Sequence, residues 1–173
     1  MAIKRKLVEV YLEELDLSVP IFLTTDSIEG KIIQLDLARF LKGKNVGAKF
    51  AVRKKENNFF GDMISFNIPQ AYIKRLIGNN ISIIEDSFEL KCTDSAMIFK
   101  PFLITRNKVH RSVKKELRKE ARKEIEEFSH NKSKKEIFSS VINGILQKNI
   151  SRKLKKIYPL GICELRIVKV VKK

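Results

Sequence analysis

Along the first hundred positions, apolar residues recur mostly at the two-residue spacing of half-buried strands. Positions 6–12 alternate, with Val8, Val10 and Leu12 against Glu9, and predict a strand. A second is expected over 27–37, carried by Ile28, Ile32, Ile33, Leu35 and Leu37. Positions 45–55 and 59–67 read as a hairpin across Glu56-Asn57-Asn58. Pro69 then suits a helix's first turn. The pairs Tyr72/Ile73 and Leu76/Ile77 keep helical spacing, and Gly78 suits the stop. Two further strands are expected over 81–93 and 96–105, joined by a tight turn at Asp94-Ser95. Several short antiparallel strands with one helix predict a curled sheet or a small barrel.

Beyond Val109 the period changes. Val113, Leu117, Ala121 and Ile125 repeat every fourth residue. Lys114, Arg118 and Arg122 follow one register on, then Lys115, Lys119 and Lys123, then Glu116, Glu120 and Glu124. On a helix this gives an apolar stripe, a broad basic arc and a narrow acidic edge. Ser129-His130-Asn131 interrupts it. Ser133 and Glu136 form a capping-box pattern that starts a new helix. Its expected buried face comprises Ile137, Phe138, Val141, Ile142, Ile145, Leu146, Ile150, Leu154 and Ile157, with Gly144 or Ser151 as the point that bends or divides it. After Pro159, positions 160–170 alternate again as a final strand. The expected fold is α+β: a curled antiparallel β-sheet or small β-barrel with flanking helices, the C-terminal ones basic. We expect one unit over 1–173, mainly β over 1–105, with a basic helical part and a last strand over 106–173.

Charge sharpens this picture. The net charge is +16, yet residues 1–99 carry 14 Lys and Arg against 13 Asp and Glu, while residues 100–173 carry 22 against 7. So lopsided a field favours a polyanionic partner. The expected RNA-binding residues are Lys100, Arg106, Lys108, Arg111, Lys114, Lys115, Arg118, Lys119, Arg122 and Lys123, with a second cluster at Arg152, Lys153, Lys155 and Lys156. Lys172-Lys173 closes the chain. Arginine suits bidentate phosphate contact and lysine supplies mobile point charge. A-form RNA, held through shape, phosphate and ribose, suits such a surface.

Other chemistries find less support. No uncharged stretch approaches the ~18 residues of a membrane span; the longest, 63–73 and 137–147, have 11 each. The start, Met1-Ala2-Ile3-Lys4-Arg5-Lys6, is basic without the apolar segment of a signal peptide. Cys92 and Cys163 lack metal-ligand spacing and read as small buried hydrophobes in a reducing compartment. There is no P-loop and no GxGxxG. His110 and His130 sit in no metal-binding pattern, so neither metal nor cofactor is expected. A metal-dependent nuclease would need convergence among Asp62, Glu85, Asp86 and Asp94, of which Glu85-Asp86 is the adjacent pair. Phe59-Phe60 reads as core packing or as a base-stacking platform. No KH-type GxxG loop or aromatic RNP-like strand supports sequence-specific single-strand readout.

The segment Phe102-Leu103-Ile104-Thr105-Arg106, running through Lys108, Ser112, Lys114-Lys115 and Leu117-Arg118-Lys119, resembles the "iTR…S…IRK" stretch of a small-subunit ribosomal protein family shared by archaea and eukaryotes, eS-one (older name S-three-a). Lys155-Lys156-Ile157-Tyr158-Pro159-Leu160, then Val168-Lys169-Val170, is similar to its "KKIYPL…VEIRKV" ending. Gly30-Lys31-Ile32-Ile33 with Leu35 and Leu37 resembles "GRVVEVSLADL". Arg75-Leu76 and Thr93-Asp94 fall where the family has its short helix and "TKDG" turn, here without the glycine. The family's tryptophan-containing opening is absent. The resemblance, spanning roughly 28–173, implies a non-enzymatic structural constituent of the small ribosomal subunit, cytoplasmic and without membrane contact. It would bind rRNA on the platform near the mRNA exit and touch neighbouring ribosomal proteins and mRNA. A free RNA-binding assembly factor is the alternative.

Overall fold

The computed structural model describes residues 6–23, 29–39, 41, 44–56 and 58–171. The expected roles of Met1–Arg5, of Ser27 and Ile28, of Asn57 and of Lys172-Lys173 lie outside the described residues. Nine strands and four helices run in the order β1 (Lys6–Leu12), β2 (Leu17–Leu23), β3 (Ile32–Asp36), β4 (Gly47–Lys55), β5 (Asn58–Asn67), α1 (Gln70–Leu76), β6 (Ile83–Glu85), β7 (Phe88–Lys91), β8 (Ala96–Thr105), α2 (Arg111–Ser129), α3 (Lys134–Ile142), α4 (Ile145–Leu154) and β9 (Leu160–Val170). The fold is α+β, as the pattern predicts, and the sheet stays open instead of closing into a barrel.

The sheet runs β2-β1-β5-β9-β8-β6, with β4 also on β5, β3 on β4 and β7 on β8. Every pairing is antiparallel except β1 with β5. β5 is the crossing point, flanked by β4 along its length and by β1 and then β9 on its other side. Gly61 marks the crossing. A Cβ there would lie 2.4 Å from Leu12 Cδ2 and 3.5 Å from both Phe50 Cβ and Val10 Cγ1. The missing side chain leaves room for the buried Leu12 side chain of the paired strand β1.

Two differences from the sequence reading have physical causes. The strand expected over 81–93 is two strands, β6 and β7, broken at Asp86-Ser87. The partner strand β8 carries Pro101 opposite this break, and Asp86 accepts the Ser87 amide within it. Proline has no N–H to donate, so the ladder lapses there. Likewise the alternation over 160–170 does not give one clean buried face. Leu160, Leu165 and Val168 are buried, because shifts at Lys100/Pro101 and Ile104/Thr105 rephase β9 twice.

α2, α3 and α4 form the helical part: α2 against β6 and β7, α3 against β5, α4 against α2, α3 and β9. Leu117, Ala121 and Ile125 are buried, as the fourfold repeat predicts. Ser133 and Glu136 form the expected capping box. Gly144, with φ 70°, separates α3 from α4, which resolves the choice between Gly144 and Ser151. The left-handed turn also rephases the second helix, so Ile145, expected on the buried face, is exposed, while Leu146, Ile150 and Leu154 are buried. α1 stops at Leu76, with exposed Ile77 in extended geometry and Gly78 beyond.

Substituting Gly61→Val tests the crossing. Overpacking a tight site costs about 1–3 kcal/mol. Denaturant unfolding should show a lower midpoint with an unchanged slope.

Candidate nucleic-acid interface

The interface begins where β8 ends. Thr105 and Ser82 are both buried and lock together. The Ser82 amide donates to Thr105 Oγ1 (3.0 Å), and the Thr105 amide donates back to the Ser82 carbonyl (3.0 Å). The Thr105 hydroxyl donates to the Asn107 carbonyl at 2.7 Å, and the Val109 amide donates to Ser82 Oγ at 3.2 Å. Four bonds thus fix the short connection carrying Arg106 and Lys108 into α2. The Arg106 amide donates to the Pro159 carbonyl (3.4 Å), and Thr105 is registered against Leu160. The "TR" and "IYPL" segments, more than fifty positions apart in sequence, therefore meet. Their meeting brings the connection carrying Arg106 and Lys108 to the end of the Lys155-Lys156 segment.

α2 differs along its length. Its first turn has no acidic residue and begins at His110, an exposed N-cap that makes no side-chain capping bond. Arg111, Lys114, Lys115 and Lys119 form no ion pair among the described residues, and all but half-buried Lys114 are exposed. The positive end of the helix dipole adds to their field. Further along, the cations are engaged. Arg122 pairs with Glu126 at 3.0 Å and lies 5.0 Å over the Phe88 ring. Lys123 pairs with Glu127 at 3.8 Å, and Arg118 Nε donates to the Glu85 carbonyl at 3.2 Å. Glu124, expected on an exposed acidic edge, is buried at 7% exposure and pairs with Lys153, which also reaches Glu127 at 3.3 Å. Lys153 holds the Glu127 carboxyl below its ordinary range. Glu124 in turn raises the Lys153 ammonium above the usual lysine value.

Of the fourteen expected RNA contacts, Arg118, Arg122, Lys123 and Lys153 thus have partners within the protein. Lys100, Arg106, Lys108, Arg111, Lys114, Lys115, Lys119, Arg152, Lys155 and Lys156 have none among the described residues. Lys100 stands apart on β8, in a cleft with Glu85, Asp86 and Arg166. One exposed basic group was not singled out from the sequence: Lys54 and Lys55 at the β4–β5 hairpin end, beside Arg53, which pairs with Asp62 at 2.9 Å. Three basic residues in a row were the available signal.

The acidic candidates do not gather. Asp62 is buried and held by Arg53 and by Lys134 (3.3 Å). Glu85 pairs with Arg166 at 3.2 Å, Asp86 accepts from the Ser87 amide, and Asp94 lies in the β7–β8 turn. Among the described residues no three His, Cys, Asp or Glu side chains are placed to hold a metal ion. Phe60 meets Tyr11 edge-on at 6.2 Å, and Phe59 packs against the core, so neither stands out as a free stacking platform. Cys92 and Cys163 are unpaired and half-buried, where small buried hydrophobes were expected. Burial, and then Glu164, pushes the Cys163 thiol up to about 12. Among the described residues no helix is long and apolar enough to cross a membrane.

A model of the Ribosomal S3Ae family matches residues 7–173. No curated protein matches the chain.

The Ser82–Thr105 lock is testable by Thr105→Val, which keeps the shape and removes the hydroxyl. Leaving the buried Ser82 amide without its acceptor costs about 1–3 kcal/mol. Amide exchange at Val109 should accelerate in the variant, reporting release of the connection.

Proposed function

The chain belongs to the Ribosomal S3Ae family and is thereby a small-subunit ribosomal protein, and from that premise we propose that it is a structural constituent that holds rRNA by neutralising phosphates. It acts as one unit of 173 residues, without catalysis, in cytoplasmic ribosomes. It sits on the platform near the mRNA exit, touching neighbouring ribosomal proteins and passing mRNA. The rRNA contacts are the fourteen expected cations, with the greatest weight on those that have no partner inside the protein.

One observation carries this reading. The first half of α2 and the connection before it present Arg106, Lys108, Arg111, Lys114, Lys115 and Lys119, and no carboxylate among the described residues pairs with them. Cations left unneutralised repel one another in the free protein, and RNA phosphate relieves that repulsion by releasing its counterions. The Arg106–Pro159 contact joins the connection to the stretch that follows Lys155-Lys156, a link that would let two RNA segments be held close together. Contact with A-form RNA through shape, phosphate and ribose needs no base readout.

RNA binding as a function of salt tests this. If the ten unpartnered cations each meet a phosphate, log K against log salt should fall with a slope of about −7 to −9. A slope of about −2 would contradict a broad footprint. The paired variant Lys115→Glu/Lys119→Glu should weaken binding at least about tenfold, or 1.4 kcal/mol. Lys123→Glu, at a position already paired with Glu127, should have a much smaller effect.

A further inference from the structure

One surface of this basic protein is neither basic nor fully covered. Residues 6–23 carry four carboxylates, Glu9, Glu13, Glu14 and Asp16, against the single basic residue Lys6. The same hairpin holds the most exposed large apolar side chain among the described residues, Phe22 at 69%. Phe22 is registered against Leu7, itself 53% exposed, and Tyr11 follows on the same face of β1 at 37%. Tyr11 then meets Phe60 edge-on, so the apolar stripe continues onto β5.

α3 covers only part of this face. It packs on β5, anchored by Lys134 to Asp62 and by Lys135 to Glu13. Between α3 and the β1–β2 turn lies a cleft of about 690 Å³ lined by Glu13, Glu14, Lys132, Lys135 and Glu136 among others. Both lysines are engaged, Lys135 with Glu13 and Lys132 over the Phe128 ring at 3.2 Å. Glu14 accepts from the Met63 amide through Oε1 at 3.1 Å, while its buried Oε2 has no partner.

We infer that the Phe22–Leu7–Tyr11 face and the adjoining cleft dock a Lys/Arg-rich segment of a neighbouring ribosomal protein, its apolar side chains on the stripe and a cation beside Glu9. Charge decides the class of partner. Glu13 is taken up by Lys135 and Asp16 by the Tyr11 hydroxyl, but exposed Glu9 stands between Leu7 and Tyr11 on the face itself, so phosphate is disfavoured here and a basic polypeptide is complementary. Apolar anchors ringed by opposite charge are the usual layout of a protein contact. The partner lies on the face and does not extend the sheet, because Pro20 removes a backbone donor from the middle of edge strand β2. The inference rests on the ribosomal reading above for the partner's identity, while the site itself rests on this face alone.

The test places a benzophenone photo-crosslinker at Phe22 in the full chain, expressed in its own cells, with the same probe at Lys115 as a companion. Small subunits are purified, irradiated and the adducts mapped. The expected result is a Phe22-probe adduct within a Lys/Arg-rich segment of one ribosomal protein, lost in the Leu7→Glu background, while the Lys115 probe labels rRNA. A Phe22-probe adduct to rRNA, to this chain's own residues or to a second copy would overturn the inference. So would no Phe22 adduct in particles where the Lys115 probe labels rRNA. Absence of the chain from small subunits altogether would instead overturn the ribosomal reading, and the partner's identity with it.

Discussion

The sheet depends on its last strand. β9 is inserted between β5 and β8, pairing Ser65–Asn67 on one side and most of β8 on the other. Among the described residues no other strand joins the β1–β5 block to the β6–β8 block. The N-terminal strands therefore complete their sheet only when the final residues arrive. Contacts of such sequence separation require costly loop closure before they are rewarded. The same insertion positions the interface. Pairing of Thr105 with Leu160 fixes the end of β8, and from there the Ser82–Thr105 bonds aim the connection into α2.

The proposed function rests on which charges the fold leaves without partners. A helical wheel of α2 shows a uniform basic arc, but the fold treats its two halves differently. The second half is neutralised by Glu126, Glu127 and the buried Glu124, the last of which also recruits Lys153 from α4 and so ties the two helices together. The first half has no such partners and sits at the positive end of the helix dipole. Stability and binding are thus divided along one helix. At the opposite extreme the β1–β2 hairpin gathers carboxylates and exposed apolar rings, a surface suited to a protein neighbour. On the proposed reading, a scaffold that holds both RNA and protein would use the unpaired cations for the first and this hairpin for the second.

Much of this was legible in the sequence. β1 and β9 begin and end where the alternation does, and the β4–β5 hairpin, the α2 stripe and the Ser133/Glu136 box fall where the pattern puts them. What escaped had tertiary causes. β2 carries Pro20 in the middle of a short apolar run, which argues against a strand unless it lies at an edge, and edge position is not encoded locally. The β6/β7 break falls opposite Pro101 on the partner strand, which residues 81–93 do not reveal, and Asp86 takes the Ser87 amide there. Ile145 changes face because Gly144 adopts a left-handed turn. At the interface, residue type identified the cations. The Arg122–Glu126 and Lys123–Glu127 pairs lie four residues apart on α2 and follow from spacing alone, whereas the Lys153–Glu124 pair depends on packing between α2 and α4, on which periodicity carries no information.

On the proposed reading this chain is a member of the assembled small subunit, held by charge over a broad surface. Sedimentation of cell lysate through a sucrose gradient, following this chain at low salt and after a high-salt wash, tests it most directly. Stoichiometric co-migration with small subunits and with translating ribosomes at low salt, with release growing as the wash salt is raised, is the predicted result. Migration near the top of the gradient at low salt, or only with immature particles, would contradict it.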